Sequence, residues 1–433
     1  MALKNGICAL VLLLAAPLAA PAASLPTPGI ANSPGLSIHF TRGNTQDLDM
    51  MAAAGVKIVR TDFSWSATEY VKGVYDWSAY DELAANIVKR GMRPYFILDY
   101  SNALYEQVEV LWQNGLPHAV FVDSPRNPSS VAAFAAWARA AALHFQSQNV
   151  IWEIWNEPNL ATFWKPQPNV ADYSTLAKAT CDAIHGAVPS AAVIGGVTSG
   201  IDYNFLTPFL GSGVLDCIDG VSVHPYRGAT PETVSGEFQY LRWLIDQSAP
   251  AGRSGGAIPI VSGEWGYSTV LGGLSTADQA SFLVRMQLIN LFNNVPISIW
   301  YDWKNDGTDA TNSEQNFGIV TSTLSPKPAY QALKTLTTQL SGYRIVQRVA
   351  VGGSLDCVLL MVNSAGKYKA VAWTLAANHA LTLLNGFSAN ATIPVTDIGG
   401  STRNVVIGWA GMSLPLTSSP QYLDLASLPI PAP

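Results

Sequence analysis

The sequence predicts a (β/α)8 barrel followed by a smaller, antiparallel, β-sandwich-like domain. Three observations carry that expectation. Between positions 36 and 340, eight short apolar runs alternate with segments of helix length, the switching of period that marks strand–helix units. After position 342 helical periodicity stops, and short strand-like runs punctuated by Gly, Asn and Pro take over. Two glutamates, Glu157 and Glu264, stand at the ends of the fourth and seventh runs, the edge of a barrel on which sites are built. The expected division is 1–23 as a signal peptide, 24–342 as the barrel and 343–433 as the β-domain.

The chain opens with Lys4, an apolar run from Ile7 to Leu18 broken by Pro17, and the small residues Ala20, Ala22 and Ala23. Charge, apolar run and small residues in that order spell an export signal, cleaved between positions 22 and 24. A retained anchor is the rival, but the run is shorter than the ~20 residues a spanning helix needs. The expected location is therefore the periplasm or outside the cell.

The barrel strands are read at Leu36–Phe40, Val56–Asp62, Arg93–Tyr100, Val150–Trp155, Ala192–Gly196, Gly220–His224, Pro259–Glu264 and Pro296–Tyr301. Helical patterns lie between them at Ser78–Arg90, Val131–Gln148, Asp172–Ala187, Glu232–Asp246 and Thr276–Asn293, and a last one at Ala329–Leu340. Ser130, Thr230 and Ser275 stand where a side chain can cap a first turn. Ser101–Pro128 is too long for a bare connection and, with Tyr105, Trp112 and Phe121, reads as an elaborated loop over a site. The β-domain strands are read at Tyr343–Val349, Cys357–Val362, Ala370–Leu375, Ala380–Leu384, Asn404–Trp409 and Gln421–Asp424. With no linker between them, the two parts are expected to pack together, the second as a structural cap.

Composition narrows the function. With 48% hydrophobic and 12% charged residues, about half the usual charged fraction of ~25%, the chain buries enough apolar surface to be ordered. A net charge of −6 argues against nucleic acid, which requires a basic footprint. Past the first segment, no apolar stretch is long enough to span a membrane. Of four cysteines, Cys181, Cys217 and Cys357 remain after cleavage. Their spacing matches no zinc or redox pattern. Cys181 and Cys217 are the candidate pair, with three buried thiols as the alternative. Asn390-Ala391-Thr392 is a glycosylation acceptor only in a eukaryotic source.

The chemistry sits on carboxylates. Trp152-Glu153-Ile154-Trp155-Asn156-Glu157-Pro158 closes the fourth run, and Ile260-Val261-Ser262-Gly263-Glu264-Trp265-Gly266 closes the seventh. Charged groups there cost desolvation unless they are partnered or have a task. Two carboxylates facing across a pocket are what cleavage of a glycosidic bond requires, one donating a proton and the other attacking or activating water. Glu153, four residues before Glu157, is expected to hold a buried pairing inside the barrel.

These motifs resemble the retaining glycoside hydrolases of clan A. The resemblance spans residues 36 to 340, and within the clan Trp-Glu-Ile-Trp-Asn-Glu-Pro-Asn is similar to family 39, which holds β-xylosidases and PslG-like exopolysaccharide endoglycosidases. It implies Glu157 as acid/base, Glu264 as nucleophile and Asn156 as donor to the sugar 2-hydroxyl. Arg60 matches the clan's arginine near the end of strand two and would keep Glu264 ionised. In His224-Pro225-Tyr226, Tyr226 would hydrogen-bond Glu264. Trp300 or Trp303 would floor the reacting sugar. No metal or organic cofactor is implied, and the partner is a polysaccharide or oligosaccharide.

Other readings stand beside these. Arg60 could pair with Asp62 or Asp99, and His224 and His39 could be structural histidines. Trp65, Trp112, Phe163, Trp164 and Trp265 fall in predicted rim loops, with Phe163-Trp164-Lys165-Pro166 the preferred sugar platform. Asp302, Asn305 and Asp306 could bind hydroxyls or form a solvated turn. For the whole chain the expectation is a secreted enzyme acting endo on a bacterial exopolysaccharide. The alternatives are an exo-acting β-xylosidase-like enzyme, a transglycosylase and a barrel that binds carbohydrate without chemistry. The oligomeric state is not legible.

Overall fold

Local pattern and observed structure agree closely along the barrel, with strand ends displaced by up to three positions. The computed structural model describes residues 25–113, 116–385 and 391–429. The expected signal peptide and Asn390 lie outside the described residues. In chain order the first part runs β1 (Pro34–Ser37), α1 (Thr45–Ala53), β2 (Ile58–Ser64), α2 (Trp65–Thr68), α3 (Ser78–Lys89), β3 (Arg93–Asp99), β4 (Val108–Gln113) and β5 (Leu116–Val122). It continues with α4 (Pro128–His144), β6 (Ile151–Ile154), α5 (Val170–Ala187), β7 (Ala192–Ser199), α6 (Tyr203–Leu210), β8 (Gly220–His224), α7 (Ser235–Ser248), β9 (Ile260–Trp265), α8 (Thr276–Phe292), β10 (Ser298–Trp300) and α9 (Pro328–Leu340). Eight strands close a parallel barrel in the order β1-β10-β9-β8-β7-β6-β3-β2.

The barrel's lumen is filled by a separate cluster that includes Ile58, Tyr95, Ile151, Ile194, Val261 and Ile299. The larger core lies between strands and helices. Such a lumen is packed, so a site can form only above it, on the strand C-terminal rim.

The segment expected as an elaborated loop after β3 is the β4–β5 hairpin. Capping differs from expectation at two helices. Pro128 fixes the first position of α4, so Asn127 is the cap and accepts from the Ser130 amide at 2.9 Å. Thr230 makes no side-chain cap bond, because a 3-10 turn over Pro231–Val234 precedes α7. Ser275 caps α8 as expected, accepting from the Asp278 amide at 3.1 Å.

The second part holds β11 (Tyr343–Arg348), β12 (Asp356–Asn363), β13 (Tyr368–Thr374), β14 (His379–Leu383), β15 (Ala391–Asp397), β16 (Thr402–Ile407), β17 (Met412–Leu416) and β18 (Gln421–Asp424). One antiparallel sheet has the order β11-β12-β13-β18-β15-β16, and β14 pairs with β17. Strands β15 and β17 are missing from the sequence reading because each contains a proline, Pro394 and Pro415, which argues against a strand. Pro394 is tolerated because it pairs only with Asn404 of β16, one place beyond the end of the β18 ladder. The Trp373 indole donates to Glu232 at 2.8 Å, and Glu232 also takes Arg285 at 2.7 Å. The β-domain is thereby fastened to the barrel's outer helices.

Cys181 and Cys217 form a disulfide across 36 residues, and Cys357 is a buried free thiol. Loop-closure entropy for such a span is about 3–4 kcal/mol. Cys181→Ser with Cys217→Ser is therefore expected to lower the unfolding free energy by that amount, and with it the urea midpoint, while leaving catalysis at the distant rim intact. An unchanged urea midpoint would count against a structural role.

Candidate active site

The rim side chains come from β2, β6, β8 and β9. Glycine suits position 263, since a Cβ there would collide with Ser222 Oγ and stand 2.9 Å from Glu153 Oε1. Only a bare position lets β9 bring Glu264 beside its neighbours. The turn after β6 is tight as well. Trp155 and Glu157 adopt left-handed backbone with φ of 67° and 42°, uncommon for residues with side chains. Trp155 is locked there by complete burial and by contacts with Phe134 and Trp164.

Arg60 joins the site together. It is 2% exposed and donates to Glu153 at 2.8 Å, to Glu264 at 2.6 Å and to Asn156 Oδ1 at 3.2 Å, and it meets His224 Nε2 at 3.3 Å. Its partners are thus Glu153 and Glu264, and not Asp62 or Asp99. Glu153, fully buried, also accepts from the Tyr95 hydroxyl at 2.7 Å, the interior pairing expected of it. Burial opposes the charge on Arg60, but Glu153 and Glu264 outweigh burial and hold it firmly cationic.

Glu264 accepts from Arg60 on one oxygen and from Tyr226 on the other, at 2.8 Å. Burial would push this carboxyl up. His224 and Arg60 nearby, with the hydrogen bonds from Tyr226 and Arg60, more than offset it and hold the group below its ordinary value. Glu264 is accordingly an anion. Tyr226 is pushed far up by burial and by Glu264 beside it, so it remains a donor.

Glu157 approaches from the opposite side. One carboxylate oxygen of Glu157 and one of Glu264 lie within 4.8 Å of each other. Such proximity suits the carboxyl pair of a retaining enzyme, ~5–5.5 Å apart. His224, fully buried, meets Glu157 through Nδ1 at 2.9 Å.

The pocket over Arg60, Asn156 and Glu264 measures about 170 Å3 and is walled by Asp62, Tyr100, Phe163 and Tyr301 with Ser37, Ile38 and His39. Of its aromatics, Phe163 belongs to the expected platform, whereas Tyr100 and Tyr301 are not among the expected rings. Trp300 is fully buried and packs beside Tyr267, while Trp303 is 1% exposed and donates its indole proton to Asp47 at 2.8 Å. Tyr301 between them lines the pocket instead. Trp164 is buried against Trp155 and Tyr173, and its neighbour Phe163, stacked near Tyr100, supplies the wall. Trp65 and Trp265 are also buried, and the Trp112 side chain lies outside the described residues. Large rings sink into the core wherever a helix covers them, and the smaller neighbour is left at the opening. Tyr100 and Tyr301 escape sequence reading, although both directly follow a barrel strand, the one signal that marks them.

His39 forms an ion pair with Asp306 at 3.0 Å. That hydrogen bond, reinforced by Asp302 and Asp62, outweighs partial burial and pushes His39 up to about 9. Among the described residues, donor atoms also cluster at Glu157, His224 and Glu264, but there the Arg60 guanidinium already supplies the positive charge.

Residues 22–307, about two thirds of the chain, match the family model described as Cellulase (glycosyl hydrolase family 5). No curated protein matches significantly. Among solved structures, a family 39 glycoside hydrolase from Bacteroides cellulosilyticus WH2 superposes with a TM-score of 0.77 at 24% identity, covering 91% of this chain and 81% of that one. A monomeric β-xylosidase from Caulobacter crescentus CB15 gives 0.65 at 16% identity, covering 93% and 98%. A family 30 endoxylanase from Clostridium papyrosolvens C71 gives 0.64 at 14%, covering 93% and 97%. These likenesses establish the shared barrel and β-domain architecture, and the clan expected from the motifs holds. By its sequence match, the chain belongs to the cellulase family, glycosyl hydrolase family 5, and is a retaining glycoside hydrolase of clan A.

Proposed function

We propose that the protein is exported and cleaves β-glycosidic bonds inside a polysaccharide, with a bacterial exopolysaccharide as the substrate class. The observation that carries the chemistry is the asymmetry of the carboxyl pair, Glu264 anionic under Arg60 and Tyr226 and Glu157 bonded by His224 Nδ1. Glu157 protonates the glycosidic oxygen while Glu264 attacks the anomeric carbon, releasing one sugar chain and leaving a glycosyl ester on Glu264. Water then gives a proton to Glu157 and attacks the same carbon, freeing Glu264. Asn156, held through Oδ1 by Arg60, offers its amide NH2 to the sugar 2-hydroxyl. Tyr301 and Phe163 bear on the apolar faces of the ring.

Endo action is supported by a second pocket that continues from the first across Ser37, Ile38 and His39, which suits a chain of sugars. Export is supported by the disulfide, a bond of oxidising compartments. No described helix is long and apolar enough to cross a membrane. The fold neighbour named as a β-xylosidase keeps exo action on short xylosides as the second reading. Incubating wild type and Glu264→Gln with β-glucans, β-mannans, xylans and mixed exopolysaccharides, and sizing products by mass spectrometry, separates these. Oligosaccharides from wild type alone are expected. Monosaccharides alone would establish exo action, lengthened chains a transglycosylase, and binding without products a carbohydrate-binding barrel.

A further inference from the structure

Beside the catalytic pocket lies a second one of about 220 Å3, sharing Ser37, Ile38 and His39 with it and closed by Asp302, Asn305 and Asp306. Its wall sets unpaired acceptors beside Ile38, Phe40 and Trp303 and beside two cations, Lys304 and His39, that already face other acids. Ser37 Oγ, Asp302 Oδ1 and Asn305 Oδ1 are shielded from solvent and have no hydrogen-bond partner among the described residues. An unpaired buried acceptor is costly, and a carboxylate most of all. Asp302 is 2% exposed. The cations nearby are already engaged: Lys304 on Asp47 at 3.0 Å, Lys327 on Thr269 at 3.1 Å, Arg60 on Glu153 and Glu264, and His39 on Asp306. On the far side of His39, Asp62 adds another acidic side chain to the lining of the catalytic pocket.

A ligand matched to such a wall brings donors and positive charge. Neutral sugar hydroxyls each donate one proton and carry no charge, a uronate is repelled, and an N-acetyl group turns a carbonyl and a methyl toward carboxylates. A primary ammonium brings three donors and one charge. We propose that the Asp302–Asn305–Asp306 pocket is a subsite for a hexosamine whose amine is free, so that the polysaccharide cleaved contains de-N-acetylated amino sugars. This rests on the reading of the adjacent pocket as the cleavage site. Burial holds the Asp302 carboxyl well above the ordinary range, and an ammonium beside it supplies the countercharge that allows it to ionise.

The test is binding to the Glu264→Gln protein, which cannot turn over. Calorimetry would compare β-1,4- and β-1,6-linked glucosamine oligomers with their N-acetylated counterparts and with cello-oligosaccharides, at low and high salt, and with calcium chloride alone. Amine-bearing oligomers of at least one linkage are expected to bind about tenfold or more tightly than the N-acetylated form, with the advantage shrinking in salt. Asp302→Asn, and independently the more exposed Asp306→Asn, should bring that ratio toward unity. Equal or tighter binding of acetylated or neutral oligomers overturns the proposal. So does stoichiometric calcium binding lost in Asp302→Asn, which would make the pocket a metal site. Product sizing with wild type keeps the two readings apart. Cleavage of neutral glycans without an amine preference removes only the subsite, whereas amine-selective binding without cleavage of any glycan removes only the hydrolase.

Discussion

Replacing Glu264 by alanine is expected to lower kcat by roughly four to six orders of magnitude, the scale seen when a covalent nucleophile is removed. The loss has a specific signature. With Glu264 gone, azide fits the space and attacks the anomeric carbon directly while Glu157 protonates the leaving oxygen, so a single inversion gives an α-glycosyl azide from a β-glycoside. In Glu157→Ala the covalent step on Glu264 survives, and azide intercepts the glycosyl ester to give the β-azide after two inversions. The acid/base loss is expected to be about 10²–10⁴-fold, and smaller for substrates with good leaving groups. Proton NMR of the azide products assigns the two roles. A β-azide from Glu264→Ala would reverse them, and full activity in either variant would move the chemistry away from this pair.

The second large effect concerns stability. Arg60→Met strands Glu153, which has no exposure and retains only the Tyr95 hydroxyl, and removes one of two donors to Glu264. Breaking one side of a buried pair costs about 3–5 kcal/mol because the remaining charge is left without compensation. The pH dependence has a definite sign. Glu264 titrates below its ordinary value in the folded protein, so it contributes stability above the unfolded carboxylate range and loses that contribution as acid carries the pH through the folded value. In Arg60→Met, burial is opposed only by His224 and Tyr226, so Glu264 titrates higher and the acid limb of kcat/KM moves up in pH. Urea unfolding at neutral pH and a pH–rate profile measure both effects. A variant as stable as wild type would mean that Glu153 is protonated or otherwise satisfied.

Arg60→Met also bears on what is readable without a structure. That the second strand carries an arginine and the seventh closes near a glutamate is visible in the pattern. That one guanidinium would serve Glu153, Glu264 and Asn156 together depends on a barrel closing residues 93, 204 and 96 positions apart. The interior role of Glu153 is nonetheless legible, since it alternates with Trp152 and Ile154, which pack toward the helices, and so faces inward. The aromatic wall is the counterexample. Within the expected platform it is Phe163 and not Trp164 that lines the pocket, and Tyr301 takes the place expected of Trp300 or Trp303. A change of one place turns a side chain from the pocket to the core, and periodicity near a strand end is too short to fix that place.

Strand–helix alternation, the change of pattern near Tyr343 and the two rim glutamates come from the sequence alone, because period and residue type are local properties. Chain geometry in three dimensions decided the Cys181–Cys217 bond, the hairpin after β3, the strands through Pro394 and Pro415, and the docking of Trp373 on Glu232. It also decided which acceptors near Asp302 go unpaired. Each of these depends on which distant residue arrives at a given distance and angle, and that is set by barrel closure and sheet register.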